Sequence, residues 1–243
     1  MSKLFVVGIG PGNYENITIR ADNALKNAQI IVGYTVYVDL VKERYPGKEF
    51  LTTPMTRETV RCQLALDKAR EGKSVAMICS GDSGIYGMAA LLYELRGENI
   101  DPEIEVIPGL TAACSGGALL GAPLTHDFAV ISLSDRLTPW EKIEKRLECA
   151  AQGDLSIVLY NPRSKGRPDN LRMACDILLR YLPGDRPCGV AHSIGREGEW
   201  AEYMPLSELR TADVDMFCTV FIGNAMTKMV AGKLVTPRGY RDV

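Results

Sequence analysis

Short runs of consecutive apolar residues, each ended by glycine or a turn and followed by a stretch with helical spacing, recur along the whole chain. Continuous apolar runs of this length suit strands covered on both faces, and their alternation with helices is the pattern of parallel α/β architecture. In the first half the pattern predicts strands at 4–8, 29–33, 74–79 and 103–107. Helices are predicted at 16–27, 35–44, 57–71 and 84–96, the third capped by Thr56, and a small-residue helix runs from Thr111 to Leu120. Gly121-Ala122-Pro123 interrupts the pattern, and Pro123 cannot continue a helix, so the expected organisation is two α/β domains, 1–122 and 123–243. The second half restarts with a strand at 128–133, a helix at 140–151, a strand at 155–160, a helix at 169–182 and a strand at 187–192. The runs 198–204 and 214–222 read as antiparallel additions.

Composition narrows the picture. A chain of 243 residues suits two domains of about 120, each able to bury its own core. With 46% hydrophobic and 24% charged residues, a disordered or disulfide-stapled chain is excluded. A formal net charge of -2 supplies no bulk field for nucleic acid. The seven cysteines are scattered and never form C-x-x-C, so they read as mostly buried thiols of a reducing cytoplasm rather than as a disulfide or metal framework. No apolar stretch approaches the roughly 20 residues of a membrane span, and the N-terminal apolar run is too short for a signal sequence, so a cytoplasmic protein with no membrane partner is expected.

Three loops carry the candidate chemistry. Gly8-Ile9-Gly10-Pro11-Gly12 follows the first strand but is not a dinucleotide fingerprint: its third glycine position is Asn13, and the second strand ends Ile31-Val32-Gly33 without an acidic residue. Alone it could be a tight turn. Ser80-Gly81-Asp82-Ser83-Gly84-Ile85-Tyr86-Gly87 and Pro108-Gly109-Leu110-Thr111-Ala112 follow two further strands. Glycine loops at several strand carboxyl ends of one sheet point to a small-ligand crevice, because glycine admits close backbone approach.

These three loops, in this order and at these intervals, resemble the tetrapyrrole methylase family, the class III S-adenosylmethionine-dependent methyltransferases. The likeness spans essentially the whole chain. Met55-Thr56-Arg57-Glu58, His126-Asp127-Phe128, Ile131-Ser132-Leu133-Ser134-Asp135 with Leu137-Thr138-Pro139-Trp140, and Tyr160-Asn161-Pro162-Arg163-Ser164 are similar to the branch that methylates C17 of precorrin-3B or cobalt-factor III in cobalamin biosynthesis. The resemblance implies a homodimer of two-domain subunits, with S-adenosylmethionine in the cleft between domains and a tetrapyrrole, with or without cobalt, beside it. It implies donor contacts from Pro11, Ser80, Gly81, Asp82, Ile85, Thr111, Ala112, Asn161, Gly195 and Thr219. It also implies that methylation is coupled to ring contraction, which extrudes C20 and forms a lactone from a ring A acetate.

That second event needs proton traffic. His126, beside Asp127 at the domain boundary, is placed for acid–base work or for axial ligation of bound cobalt, and Asp135 is the other catalytic candidate. His192, at a strand end, reads as a structural histidine. Ser132 and Ser134 suit either substrate contact or, with Asp135, capping of the helix after Pro139. A substrate rich in carboxylates calls for arginine forks: Arg57 and Arg163 are the favoured binders, while Arg61, Lys165 and Arg167 suit a solvated face equally well. Two other readings remain: a sister enzyme acting at another ring carbon, and a non-catalytic S-adenosylmethionine sensor.

Overall fold

The computed structural model of the chain describes residues 3–241. It contains two compact α/β units, Met1–Thr111 and Ala112–Val243. The division falls at residue 111 rather than at the expected 122, because the helix in between belongs with the second unit. Gly116 of that helix lies so near Phe221 and Ile194 that a Cβ would stand 2.9 and 3.0 Å from them, and its Leu120 fills the space over Gly189.

The first unit is built from β1 (Lys3–Gly8), α1 (Ile19–Asn27), β2 (Ile30–Tyr34), α2 (Thr35–Asp39), β3 (Glu49–Thr53), α3 (Glu58–Arg70), β4 (Val75–Cys79), α4 (Ala89–Arg96) and β5 (Glu103–Ile107). Its sheet has the order β3-β2-β4-β1-β5 with every pairing parallel. Alternate residues serve opposite faces. Val6, Val32 and Met77 pack with Cys62, Leu66 and Leu92, whereas Val7, Ile31 and Ile78 pack with Ala21, Leu25 and Val38. Both faces are therefore covered, which is why these strands are apolar throughout.

The second unit comprises α5 (Ala112–Leu120), β6 (Gly121–Ala122), β7 (Phe128–Ser132), α6 (Trp140–Gln152), β8 (Ser156–Tyr160), α7 (Asn170–Leu178), β9 (Pro187–His192), β10 (Trp200–Pro205), α8 (Leu206–Leu209), β11 (Cys218–Ile222), β12 (Lys228–Val230) and β13 (Lys233–Val235). Its main sheet runs β10-β9-β11-β8-β7; β7 and β8 are parallel, β10 and β11 are the antiparallel additions the sequence anticipated, and β9 between them is antiparallel to both. One face packs Ile131, Leu159, Val190 and Val220 with residues of α6 and α7 such as Leu147 and Leu171. The other packs Val158, Ala191 and Phe221 with Ala113 and Leu120 of α5.

Several expectations are corrected. β3 was not predicted; its register with β2 is set by tertiary pairing. The 16–27 helix begins at Ile19, where Thr18 Oγ1 accepts from the Ala21 N–H, and the 35–44 helix ends at Asp39. Thr56 does not cap α3: it sits at φ 69° with its N–H donated to Glu58 Oε1, and Arg57 holds the cap position. The expected 84–96 helix starts only at Ala89; Gly84 and Gly87 together with Tyr86 at φ 55° leave its first turn as loop. No side chain caps α6, whose cap residue is Pro139, so the capping reading of Ser134 and Asp135 fails. No helix among the described residues is long and apolar enough to cross a membrane.

Inside the first unit, buried Asp22 on α1 accepts from Tyr45 Oη at 2.8 Å and from Lys26. Burial alone would raise its carboxyl, but the hydrogen bonds from Lys26 and Tyr45 outweigh burial and hold it below the ordinary carboxylate range. A depressed folded-state pKa stabilises the fold at pH values above the unfolded-state value and loses that contribution as pH falls through the folded one. Thermal melts should therefore show the wild-type losing stability below about pH 4, with that acid-side loss reduced in Asp22→Asn. Identical acid limbs in the two proteins would refute this role.

Candidate functional site

The strand order places the three glycine loops on neighbours, since β4, β1 and β5 are contiguous. The connection leaving β1 crosses to β2 on one side and the one leaving β4 crosses to β5 on the other. The carboxyl ends of β1 and β4 thus form the topological switch point at which open parallel sheets bind ligands. The loops are fastened there backbone to backbone. Gly10 N–H donates to Gly81 O at 3.0 Å and Gly81 N–H to Gly10 O at 2.7 Å, with both residues at positive φ, 73° and 67°. A Cβ on Gly8 would stand 2.6 Å from Gly109 N and 2.7 Å from Gly81 O, and one on Gly109 would stand 2.2 Å from Gly81 O. Glycine is required because main chains occupy the side-chain positions.

Asp82 locks this arrangement. Its Oδ1 accepts from the Gly84 and Ile85 N–H groups at 2.7 and 3.0 Å, and its Oδ2 reaches across to the Gly109 N–H at 2.9 Å. Fully buried Ser83 donates to Ile107 O at 2.9 Å, a second tie to the end of β5. The carboxyl of Asp82 is thus committed to three backbone donors and ties the second loop to the third. Exposed Ile85, Tyr86 and Leu110 lie on these loops, while Pro11 and Thr111 are buried and Ser80, Gly81 and Ala112 are half-buried.

In the second unit, Asn161 follows β8 at φ 55° and its Nδ2 donates to Ser132 Oγ at 2.9 Å; the same hydroxyl accepts from Ser134 N–H at 3.2 Å. Three predicted residues therefore form one polar cluster at the carboxyl ends of the parallel pair β7 and β8. The Tyr160 hydroxyl accepts from the Ala113 N–H at 2.7 Å, satisfying a donor of the first turn of α5, a role the sequence did not reveal. Gly195, at φ 69°, donates its N–H to Glu199 Oε2 at 2.6 Å, and Thr219 is buried in β11.

The acid–base candidates are not joined. Exposed His126 has Nε2 3.1 Å from Pro237 O; a carbonyl only accepts, so the proton of the neutral ring resides on Nε2 and Nδ1 is its basic atom. Asp135 faces Arg167 at 3.7 Å, and Arg163 pairs at 3.0 Å with Asp213, whose side chain is fully exposed.

Arg57 is exposed, but Arg61 is not a surface group. It is buried and donates to Thr53 Oγ1 at 2.7 Å and to the Thr53 and Pro54 carbonyls at the end of β3. Its cation serves the terminal acceptors of an edge strand. Arg61→Met keeps the aliphatic bulk while orphaning those acceptors, and should cost about 2–3 kcal/mol, a fall of about 4–12 °C in Tm. Arg57→Met should stay within about 0.5 kcal/mol. Equal melting temperatures for the two variants would show that Arg61 is not structural.

Five cysteines are buried and Cys114 and Cys149 are exposed, all of them free thiols. Burial pushes the Cys62 and Cys175 thiols up to about 12 and Cys79 up to about 11. These groups stay protonated and unreactive at neutral pH.

A family model described as Tetrapyrrole (Corrin/Porphyrin) Methylases matches residues 3–210, and the chain belongs to that family. It is 46% identical to a probable cobalt-factor III C(17)-methyltransferase of Salmonella typhimurium over 98% of this chain and 99% of that protein. It is also 46% identical to the cobalamin biosynthesis protein CbiHC of Archaeoglobus fulgidus, over 99% of this chain but 53% of that longer one. The crystal structure of the methyltransferase CobJ superposes with a TM-score of 0.91 at 36% identity, covering 98% of this chain and all of that one.

Proposed function

We propose that the protein is an S-adenosylmethionine-dependent methyltransferase of cobalamin biosynthesis that methylates C17 of cobalt-factor III or precorrin-3B with ring contraction, working as a homodimer. The observation that carries this reading is the three-loop glycine junction at the switch point of the first unit, in a chain aligned end to end with a relative of that activity.

The residues fit the donor. A junction closed by main chain rather than side chains leaves backbone carbonyls to replace the hydration of a sulfonium, and exposed Ile85 and Leu110 on the same loops offer apolar cover against water. S-adenosylmethionine, when bound, supplies a methyl group on positively charged sulfur. In the first unit Pro11, Ser80, Gly81, Asp82, Ile85 and Thr111 hold it, Asp82 through the loops it ties. In the second unit the residues assigned to it are Ala112, Asn161, Gly195 and Thr219. Positioning does most of the work, because in-line transfer requires a fixed approach of about 3–3.5 Å.

For the macrocycle, Arg163 is the suited carboxylate binder, since its present partner Asp213 is solvent-exposed and such pairs are worth about 0–1 kcal/mol. Ser132 and Ser134 offer polar contacts and Arg57 a second cation. His126 is assigned the proton transfer at Nδ1, with Asp135 as the alternative acid–base group. His126→Ala should leave methyl transfer intact while lowering ring contraction about 100-fold; unchanged contraction would remove His126 from the mechanism.

The test is anaerobic incubation of the purified protein with cobalt-factor III and donor carrying a carbon-13 methyl group. Label at C17 of a contracted ring is expected. Label at another ring carbon would indicate a sister enzyme, and bound donor with no transfer would indicate a sensor; either result overturns the proposal.

A further inference from the structure

A second constellation, which the methyl-transfer reading does not use, lies in the second unit. His192 ends β9 and Cys218 begins β11, and the two are direct partners in the antiparallel register. Asp215 precedes Cys218 by three residues. One donor atom from each of these side chains falls within 4.8 Å of the other two. His192 Nε2 is 3.4 Å from Asp215 Oδ2, and Cys218 Sγ is 3.5 Å from Asp215 Oδ1.

The histidine ring carries the independent sign of a ligand. Its Nδ1 lies 3.3 Å from the Gly198 carbonyl and its Nε2 faces the Asp215 carboxylate, so both nitrogens meet acceptors. A neutral imidazole has one N–H to give. With Nδ1–H donated to Gly198 O, the Nε2 lone pair faces the Asp215 carboxylate, a pair of acceptors that either a proton or a metal cation can bridge. A backbone carbonyl on the far nitrogen is also the usual device that fixes the tautomer of a metal-binding histidine. The ring plane is held by Trp200, stacked at 5.0 Å, and by Phe217, edge-on at 6.4 Å.

We propose that His192 Nε2, the Asp215 carboxylate and Cys218 Sγ bind a zinc-class divalent cation. Metal distances of about 2.3 Å to sulfur and 2.0–2.2 Å to nitrogen and oxygen put tetrahedral ligands about 3.4–3.6 Å apart; one Asp215 oxygen lies 3.4 Å from His192 Nε2 and the other 3.5 Å from Cys218 Sγ, with a donor atom of all three side chains within 4.8 Å. The mixture of thiolate, imidazole and carboxylate selects Zn²⁺ or Co²⁺ over Mg²⁺ or Ca²⁺, and water completes the fourth position. On binding, the Cys218 S–H bond breaks, its proton passes to solvent and the sulfur lone pair forms the metal bond; no electron is transferred. The cation clips the β9 end to the turn before β11. The site went unrecognised in sequence because its ligands are separated by the whole β9–β11 excursion and only Asp215-x-x-Cys218 is local.

The test uses the full chain stripped of metal and titrated with Co²⁺. Saturable binding of one ion per chain is expected, with a thiolate-to-cobalt charge-transfer band that Zn²⁺ abolishes by displacement. Cys218→Ser should lose the band and weaken binding more than about 100-fold, beyond what outer-shell partners cost. Cys114→Ser and Cys149→Ser, at the exposed cysteines, should keep both. Absorption spectroscopy at the cobalt edge of the wild-type complex should show one sulfur neighbour, a readout that stands even if the Cys218 variant fails to fold. No saturation by about 1 mM Co²⁺, or a cobalt shell without sulfur, would overturn the proposal.

Discussion

Gly109→Ala should abolish donor binding and lower stability by about 3 kcal/mol, a fall of about 6–12 °C in Tm. The added Cβ would lie 2.2 Å from Gly81 O and 2.6 Å from both C and O of Gly8, all of them backbone atoms. A flexible side chain can swing away from such a contact, but three strand ends joined in one sheet cannot. The loops must part, and with them the close backbone approach on which the donor depends. Gly184→Ala is the control, because its Cβ would meet only Ser207 and Leu179 at ordinary distances of 3.6 Å and beyond. Calorimetric titration with S-adenosylhomocysteine together with thermal melts reads both effects. Wild-type affinity in Gly109→Ala would show that the junction is not the donor site.

Asp82→Ala should weaken donor binding about 10–100-fold while costing only about 1–2 kcal/mol of stability. Water can replace the carboxyl at the exposed Gly84 and Ile85 N–H groups, but the Gly109 N–H is partly buried and loses its partner. The second loop then keeps only the Ser83 tie to the end of β5 and loses its side-chain tie to the third loop itself, so the effect falls on loop position more than on folding. Asp82→Asn should lie between, since its amide oxygen still serves Gly84 and Ile85 while its NH2 group confronts the Gly109 N–H. The alanine variant binding as tightly as the wild-type would assign Asp82 a purely local role in its own turn.

What the sequence disclosed follows from which forces are local. β4 and β8 are near-continuous apolar runs and β1 is apolar beyond Lys3, so they were visible without knowledge of neighbours. β3, Glu49-Phe50-Leu51-Thr52-Thr53, is an edge strand with mixed polarity, and only its pairing with β2 makes it a strand. Missing β3 also concealed the role of Arg61, whose acceptors lie at that strand's end. In the second loop Gly84 and Gly87 were present as warnings that helix could not begin at 84, yet the apolar residues after them suggested otherwise. The three-loop junction was legible because glycine leaves a sequence signature wherever main chains must touch. The partners of Asp82, His126 and Tyr160 were not, because Gly109, Pro237 and Ala113 contribute backbone atoms that any residue could supply.

The most direct test of the account is the affinity of the intact wild-type protein for S-adenosylhomocysteine. The glycine junction predicts saturable binding of one molecule per chain with Kd of about 10 μM or tighter. Absence of a binding isotherm at concentrations up to about 1 mM would contradict the methyltransferase assignment at its foundation.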